Sequence, residues 1–346
     1  MSRVITFFEA KDWEKEEYLR RIREKFGERF RDFEISFVPY SLNKETSKHH
    51  GDTKIAVIYL NSLVNEEVLE DMKNLKFVIT RTTGMDHIDI LACKKRGIDV
   101  ANIPFYASAT VAEHAIALMF ALARRLRVAY SKMKDLDFSR DGLMGFDLFG
   151  KVAGVIGTGN IGSHICRIAR GIGMEVLAYD INPNKKLEEL YRVKYVRLEE
   201  LLSSADVIFV AVLLTRETKH LINLENIKLT KDSAMLINIA RGPVVDTSAL
   251  IWALERGKLQ GGVAVDVFEG EKVLTEATFL KEICPAEVLT KALQTLHLFH
   301  YSNFMLTPHV AYYTKEALER LMDNVVGELS HYLMYKFSSK TYGEYF

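Results

Sequence analysis

Short apolar runs alternate with charged helical stretches along most of the chain. Between residue 3 and about residue 100, four runs rich in β-branched and aromatic residues are separated by stretches with many charges: VITFF, EISFVPY, KIAVIYL and KFVITRT. Strands that alternate with helices in this way are typical of βαβ units, which build parallel sheets. The pattern therefore predicts a first α/β domain in this part of the chain.

A second series of apolar runs begins at Lys151. It has six members, again separated by helical stretches: KVAGVIG, MEVLAYD, KYVRL, DVIFVAV, SAMLINIA and GGVAVDVF. We therefore expect a second α/β domain of six strands, and a fold class of two doubly wound parallel-sheet domains. The chain has 346 residues, which exceeds the ~250–300 at which a single hydrophobic core stops growing and so agrees with two domains.

Two further stretches predict helices that connect the domains. Residues 108–133, SATVAEHAIALMFALARRLRVAYSKM, are apolar on nearly all faces before the Arg124-Arg125 pair, which indicates burial between domains or between subunits. Residues 314–333, TKEALERLMDNVVGELSHYL, are amphipathic at helical spacing, and we expect them to pack on the N-terminal domain. No Pro/Ser-rich linker is present, so two crossings near residues 102 and 307 are expected to join the domains.

Composition and charge argue against nucleic acid and membranes as binding partners of this protein. Lys plus Arg number 46, as do Asp plus Glu, so no net charge attracts nucleic acid or an anionic membrane surface. No apolar run approaches the ~20 residues that a membrane span requires. The N-terminal residues MSRVITFFEAKDWEKEE turn acidic before any signal-peptide pattern develops. We therefore expect a cytoplasmic protein whose partner is a small molecule.

Three glycines follow the first strand of the second series at GxGxxG spacing. Gly157, Gly159 and Gly162 precede and open the helical stretch NIGSHICRIARGIG, and Asp180 ends the next strand. In this context the glycines permit a tight turn, a close approach of backbone N–H groups to a pyrophosphate, and close helix–strand packing. Asp180 would accept hydrogen bonds from a ribose and repel a 2′-phosphate, which favours NAD over NADP.

Two alternatives remain open at this loop. A glycine-bearing turn can bind nothing, and the nearby Lys185 and Lys186 weaken the preference for NAD. The candidate cofactor contacts lie in the loop and at the ends of neighbouring strands: Gly157, Thr158, Gly159, Asn160, Ile161, Gly162, Asp180, Ala240 and Asp266.

Candidate catalytic residues follow the later strands. Arg241 comes directly after SAMLINIA, at the strand end where open α/β sheets bind ligands, and its planar guanidinium suits a carboxylate. His309 follows a short strand-like run, and an imidazole that titrates near neutrality can protonate a carbonyl oxygen that receives hydride. Asp266, Glu269 and Glu271 follow the last strand of the series, and one of them could favour the charged form of this histidine.

Each candidate also has a structural alternative: Arg241 can form a surface ion pair, the acids can form a solvated turn, and His309 can be a packing residue. Four other histidines are expected to be structural, three in loops and the last in a helix: His49, His50, His87 and His114. His297 and His300 form an HxxH pair with no obvious third ligand, and the three cysteines form no CxxC pair. We expect neither a metal site nor a disulfide.

Taken together and in this order, the motifs resemble those of the D-isomer-specific 2-hydroxyacid dehydrogenases. The set spans almost the whole chain: RTTGMDHIDI, VAEHAIALMFALAR, GTGNIG, NIARGPVVD, VDVFEGE and LTPHVA. The resemblance implies a Rossmann NAD domain, residues 102–307, inserted into a flavodoxin-like substrate domain made of residues 1–101 and 308–346. It also implies NAD-dependent oxidoreductase activity and a homodimer formed through the helix at residues 110–130.

The resemblance also implies roles for single residues. By position in the motifs, Arg241 would hold the substrate carboxylate and carbonyl, His309 would be the acid–base, and Glu271 would be its carboxylate partner. Asp266 would be a supporting acid. Further substrate contacts are implied at Thr83 and Gly84, through their backbone amides, and at Tyr106 and Tyr312.

Within the family, the opening ITFFEAKDWEKEEYL and the long segment 272–303 are similar to the D-lactate dehydrogenase branch. Tyr312 would narrow the pocket, so pyruvate and D-lactate are the expected pair. Pro308 departs from the glycine common in that branch, and the role of segment 272–303 stays open. The alternatives are a reductase for hydroxypyruvate, glyoxylate or a larger 2-oxo acid, and an NAD-sensing protein similar to corepressors of this fold.

Overall fold

The chain forms two compact units, each built on one parallel sheet. A computed structural model describes residues 3–271 and 285–335. The first unit contains the residues up to Ala107 and those from Thr314 on, and the second unit runs from Ser108 to Tyr313. The second unit is therefore inserted into the first along the chain.

The sheet of the first unit has five strands, all parallel to their neighbours. They are β1 (Arg3–Phe7), β2 (Phe33–Phe37), β3 (Ile55–Ile58), β4 (Phe77–Thr80) and β5 (Asp99–Ala101). The connecting helices are α1 (Asp12–Phe26), α2 (Glu66–Asp71) and α3 (Ile90–Lys95). The strand order β2-β1-β3-β4-β5 is that of flavodoxin-like folds. The central strands β3 and β4 are buried at every residue, as parallel strands covered on both faces are.

The sheet of the second unit has seven strands, again all parallel. They are β6 (Val152–Ile156), β7 (Glu175–Tyr179), β8 (Lys194–Tyr195), β9 (Val207–Val210), β10 (Met235–Asn238), β11 (Gly262–Val265) and β12 (Phe304–Leu306). Their order in the sheet is β12-β11-β10-β9-β6-β7-β8. Successive strands are added on one side of β6 up to β8 and then, from β9 on, on its other side, as in Rossmann folds. The expectation of six strands was wrong by one: the seventh strand, β12, is the short strand-like run before His309, whose three residues were too few to be counted with the series.

β9, β10 and β11 are buried at every residue, as parallel strands are when helices cover both faces of their sheet. The helices of the second unit are α4 (Ser108–Ala123), α5 (Leu126–Lys134), α6 (Asn160–Gly171), α7 (Lys185–Tyr191), α8 (Leu198–Ser204), α9 (Thr247–Glu255) and α10 (Ala286–Leu298). The continuous helix expected at residues 108–133 is divided in two, because Arg125 adopts the left-handed backbone at φ 53°. In the described part of the chain, no helix is both long and apolar enough to cross a bilayer.

The last described helix returns to the first unit, as its amphipathic pattern predicts. This helix, α11 (Lys315–Tyr335), packs against α1. The ring of Tyr332 stacks on that of Phe77, with centroids 4.1 Å apart, and Asp323 forms an ion pair with Arg21. The C-terminal part of the chain thus completes the first unit.

Candidate active site

The glycine loop lies where the strand order of the second unit reverses. Gly157 directly follows β6 and has φ 91°, a conformation that favours glycine. A Cβ at this position would lie 2.7 Å from the carbonyl oxygen of Ala211, just beyond the neighbouring β9. The loop therefore lies at the switch point at which doubly wound sheets bind nucleotides.

The other two glycines have different surroundings, which match their expected roles. A Cβ at Gly162 would lie 1.9 Å from the Gly157 carbonyl oxygen, so only glycine permits this close helix–strand packing. At Gly159 the space is open, since no heavy atom of the described residues lies within 4 Å of its would-be Cβ. Gly159 precedes α6 and, like Asn160, is exposed. The N-terminus of this helix can thus receive a phosphate group, and the loop fits a dinucleotide.

Asp180, just after β7, is held against the glycine loop. Its Oδ2 accepts hydrogen bonds from the backbone N–H of Thr158 at 2.6 Å and from the Thr158 hydroxyl at 3.0 Å. The Thr158 hydroxyl also lies 2.9 Å from the phenol oxygen of Tyr195. The carboxylate therefore has a fixed place beside the loop. Lys185 and Lys186 begin α7 and are exposed.

Arg241 follows β10, and both its side chain and its backbone carbonyl form hydrogen bonds. Its Nη1 donates to the carbonyl oxygen of the buried Ala240 at 2.9 Å, and the side-chain amide of Asn238 donates to the Arg241 carbonyl oxygen at 3.2 Å. A Cβ at Gly242 would lie 2.2 Å from the Phe268 carbonyl carbon. The loop that carries Arg241 thus lies directly against the acidic loop that follows β11.

His309 and Glu271 form a direct pair. Nδ1 of His309 lies 2.8 Å from Oε1 of Glu271, and both side chains are about one-fifth exposed. His309 has φ 52°, a conformation that is uncommon for residues other than glycine and that is often found at functional sites. The ring of Tyr312 lies edge-on to the imidazole, with centroids 6.2 Å apart.

Asp266 supports the loop that carries His309. Its side chain is buried, and its Oδ1 accepts from the Thr307 hydroxyl at 2.5 Å and from the backbone N–H of Val310 at 3.0 Å. Its Oδ2 accepts from the backbone N–H of Ala311 at 3.0 Å. His114, expected to be a buried structural residue, is about one-quarter exposed, and its Nε2 lies 3.1 Å from the Thr307 hydroxyl. The carboxylate of Asp266 thus holds the loop on both sides of His309 by hydrogen bonds.

Glu269, the third candidate acid, contacts a different histidine. Its Oε1 lies 2.9 Å from Nε2 of His220, and its Oε2 accepts from the backbone N–H of Thr247. Burial favours a raised pKa for Glu269, but the hydrogen bonds from Thr247 and His220 and the charge of Lys291 lower it overall. Of the three acids considered from sequence, Glu271 is therefore the one whose carboxylate contacts the imidazole of His309.

One group of side chains in the described residues has metal-ligand spacing. Ligand atoms of His220, Asp246 and Glu269 all lie within 4.8 Å of one another. The ammonium of Lys291, on α10, lies 2.7 Å from Asp246 and 3.3 Å from Glu269. A positive charge therefore already balances these carboxylates. His297 and His300, considered as a metal pair, lie exposed on or next to α10 with ring centroids 5.4 Å apart.

The remaining predicted substrate residues lie in the first unit and are held in fixed conformations. The side-chain amide of Asn102 donates to the Thr83 carbonyl oxygen at 2.7 Å, and the Thr82 hydroxyl donates to the Gly84 carbonyl oxygen at 2.6 Å. Tyr106 is buried, and its carbonyl oxygen accepts from Arg320. The backbone at the carboxyl end of β4 is therefore well anchored.

Sequence reasoning missed several residues of these networks. Thr307 and His220 carried no signal, because single hydroxyl and imidazole groups reveal a partner only when the fold brings it near. Lys291 falls within segment 272–303, whose role the sequence left open. Cys284 and the rest of residues 272–284 lie outside the described residues.

Comparison with known proteins agrees with the geometry. Residues 116–311 match the family described as D-isomer specific 2-hydroxyacid dehydrogenase, NAD binding domain. The chain is 35% identical to the D-lactate dehydrogenase of Escherichia coli (strain K12) over 329 residues, which cover 94% of this chain and 96% of that protein.

Solved structures give the same result. The crystal structure of D-lactate dehydrogenase from Aquifex aeolicus complexed with NAD and lactic acid is similar with a TM-score of 0.86 and 35% identity, over 95% of each chain. A structure of D-2-hydroxyisocaproate dehydrogenase is similar with a TM-score of 0.78 and 27% identity, over 98% of each chain. The chain belongs to the D-isomer specific 2-hydroxyacid dehydrogenase family, in its D-lactate dehydrogenase branch, and is an oxidoreductase that uses NAD.

Proposed function

We propose that this protein reduces pyruvate to D-lactate with NADH, reversibly. The observation that carries the proposal is the 2.8 Å contact between His309 and Glu271, beside the loop of Arg241 in the second unit. An imidazole paired with a carboxylate and a guanidinium next to it are the groups that the interconversion of a 2-oxo acid and a 2-hydroxy acid requires. The similarity to D-lactate dehydrogenases supports pyruvate as the substrate.

His309 acts as the general acid in this proposal. The carboxylate of Glu271 accepts a hydrogen bond from Nδ1–H of His309. This contact fixes the tautomer and leaves Nε2 to donate a proton to the carbonyl oxygen of the substrate. Glu271 places a carboxylate 2.8 Å from Nδ1, which compensates the positive charge of the imidazolium that donates the proton. In the reverse direction the neutral imidazole takes the hydroxyl proton. Asp266 holds the backbone of the loop through its buried, hydrogen-bonded carboxylate, and it remains one of the proposed cofactor contacts.

Arg241 binds the substrate carboxylate and carbonyl oxygen, together with the backbone amides of Thr83 and Gly84. Tyr106 and Tyr312 line the site. The glycine loop and Asp180 hold the dinucleotide, whose nicotinamide supplies the hydride when it is bound. Thr158, Asn160, Ile161 and Ala240 complete the proposed cofactor contacts.

The domain and assembly assignments belong to the same proposal. The NAD domain, expected at residues 102–307, corresponds to the second unit, and the substrate domain, expected at residues 1–101 and 308–346, corresponds to the first. The boundaries between the compact units lie about six residues later, after Ala107 and after Tyr313, so His309 belongs to the second unit. The protein is a cytoplasmic homodimer that associates through residues 110–130. Large apolar side chains exposed in and after this region support association: Phe120, Leu126, Tyr130, Met133, Leu136 and Phe138.

The test is NADH oxidation with a panel of 2-oxo acids: pyruvate, hydroxypyruvate, glyoxylate, 2-oxoisocaproate and phenylpyruvate. The proposal expects the highest kcat/KM with pyruvate. The similarity to D-2-hydroxyisocaproate dehydrogenase favours a larger 2-oxo acid as the second candidate. A higher kcat/KM with 2-oxoisocaproate would establish that candidate, and NADH binding without turnover of any substrate would favour a sensing role.

A further inference from the structure

A fully buried arginine lies directly before the proposed carboxylate-binding loop of the first unit. Arg81 is the largest fully buried side chain of the described residues. It follows β4, and Thr83 and Gly84 come two and three positions later. None of the roles proposed above involves Arg81.

The side chain of Arg81 joins the carboxyl ends of neighbouring strands. Its Nη2 donates to the carbonyl oxygens of Phe8 at 2.8 Å and Glu9 at 3.1 Å, just beyond β1. Its guanidinium carbon lies 4.5 Å from the ring centroid of Tyr59, just beyond β3. Because β1, β3 and β4 are adjacent in the sheet, one guanidinium fixes three strand ends.

The charge of Arg81 is balanced within the unit. Its Nη1 lies 3.0 Å from Oε1 of Glu14, a buried residue on α1. Tyr18 is also fully buried, and burial raises its pKa to about 12, so its phenol stays neutral. Glu14 therefore supplies the negative charge.

Stability alone does not account for this arrangement. A buried ion pair loses much of its Coulombic gain to desolvation, and well-packed apolar residues of similar volume often stabilise a fold at least as well. What the guanidinium adds is directional: it makes several hydrogen bonds in one plane, at fixed angles. Such geometry is suited to positioning backbone.

The backbone after Arg81 is held in place as far as the proposed substrate loop. The backbone N–H of Arg81 donates to the Ile58 carbonyl oxygen of β3 at 2.9 Å. The Thr82 hydroxyl donates to the Gly84 carbonyl oxygen, and the Asn102 amide donates to that of Thr83. A shift at Arg81 would therefore move the amides that receive the substrate.

We propose that Arg81 is a positioning residue for the 2-oxo acid substrate, which sets the place of the Thr83 and Gly84 amides from beneath the loop. The proposal rests on the function proposed above. It goes beyond that function in assigning substrate affinity to a side chain that does not touch the substrate.

The test compares Arg81→Lys with Arg96→Lys. Lysine keeps the charge but cannot make the planar set of contacts. Arg96 is a matched control because it also donates to a backbone carbonyl oxygen, that of Leu69, and to a carboxylate, that of Glu66. The quantities measured are kcat and KM for pyruvate, the dissociation constants of oxamate and of NADH, and Tm.

For Arg81→Lys, we expect KM for pyruvate and the dissociation constant of oxamate in the NADH complex to rise together by about tenfold, with kcat nearly unchanged, because the loop binds ground state and transition state alike. NADH affinity should not change, since the glycine loop belongs to the second unit. The Arg96→Lys variant should match the unmodified protein in all binding constants.

Unchanged pyruvate KM and oxamate affinity in Arg81→Lys, with or without a lower Tm, would overturn the proposal. If Arg81→Lys does not fold, Glu14→Gln, which keeps an acceptor but removes the charge, should raise the oxamate dissociation constant in the same direction. An unchanged constant there would equally overturn the proposal. Calorimetric binding of oxamate needs no turnover, so the result stays distinct from a failure of pyruvate reduction in the unmodified protein.

Discussion

His309 and Glu271 are 38 positions apart in the chain, yet their side chains meet at 2.8 Å. The contact joins the loop after β11 to the loop after β12, two neighbouring parallel strands. Because parallel strands end at the same edge of a sheet, the loops that follow β11 and β12 are neighbours. The pair is thus a product of the second unit's topology.

Replacing His309 by alanine should remove the general acid. A positioned acid or base is worth ~10²–10⁴ in rate, so kcat should fall by at least the lower value while NADH affinity stays unchanged. Steady-state kinetics and NADH fluorescence titration measure the two quantities. His297→Ala, at an exposed position on α10, is the control and should keep full activity. A kcat within a few fold of the unmodified protein in His309→Ala would remove this residue from the mechanism.

Replacing Glu271 by glutamine should keep a hydrogen-bond acceptor for His309 but remove its charge. The imidazolium of His309 then has no negative charge beside it. Each ~1.4 kcal/mol of this electrostatic stabilisation that is lost lowers the rate tenfold. We expect kcat for pyruvate reduction to fall by about tenfold or more near neutral pH, and to fall less in Glu271→Asp. Equal rates for Glu271→Gln and the unmodified enzyme would show that the contact is structural.

Replacing Asp180 should alter cofactor preference. Asp180→Ala removes the negative charge beside Thr158, so repulsion of a 2′-phosphate disappears together with the ribose acceptor. The ratio of kcat/KM for NADPH to that for NADH should rise by about tenfold, the effect of ~1.4 kcal/mol. The control is Asp232→Ala in the same unit, where the side chain is exposed and paired with Lys258. A ratio unaffected by Asp180→Ala would place the adenosine ribose elsewhere.

The ion cluster of Lys291 should stabilise the second unit in a pH-dependent manner. Burial favours a higher pKa for Asp246 and for Glu269, but hydrogen bonds and the charge of Lys291 lower both overall. A carboxyl group with a lowered pKa in the folded state stabilises the fold above its unfolded pKa and loses this contribution as pH falls. The contribution should therefore be complete at pH 7 and disappear in acid, below about pH 4.

The Lys291→Met variant tests this dependence. It should lower the free energy of unfolding by about 1–3 kcal/mol at pH 7, the range for a charge-assisted hydrogen bond, and by much less at pH 3. Urea unfolding at the two pH values measures the difference, with Lys315→Met on the exposed surface of α11 as the control. The same destabilisation at both pH values would contradict an electrostatic origin.

The long buried strands and the glycine loop could be predicted from sequence, because apolar runs and GxGxxG spacing are local. β12 was visible only as a short strand-like run before His309, because three residues carry little pattern. The break at Arg125 could not be predicted, since a left-handed arginine depends on its surroundings.

In the candidate site, too, the local features could be predicted from sequence and the tertiary contacts could not. Residue type and strand-end position identified Arg241, His309 and three acids as candidates. Residue type and position alone left three acids open as the partner of His309, and the family resemblance pointed to Glu271; the 2.8 Å contact itself depends on side-chain directions that only the folded chain shows. The resemblance also implied a supporting role for Asp266, but its hydrogen-bond partners and the cluster of His220 and Lys291 depend on tertiary contacts that the sequence does not show.

The most direct test of the account is the product of pyruvate reduction. The purified protein is supplied with pyruvate and NADH, and the lactate formed is resolved into its enantiomers, with His309→Ala analysed in parallel. The account predicts D-lactate alone from the unmodified protein and, from the variant, the same enantiomer at a rate lower by at least ~10². L-lactate, a racemic product, or unchanged D-lactate formation by the variant would contradict it.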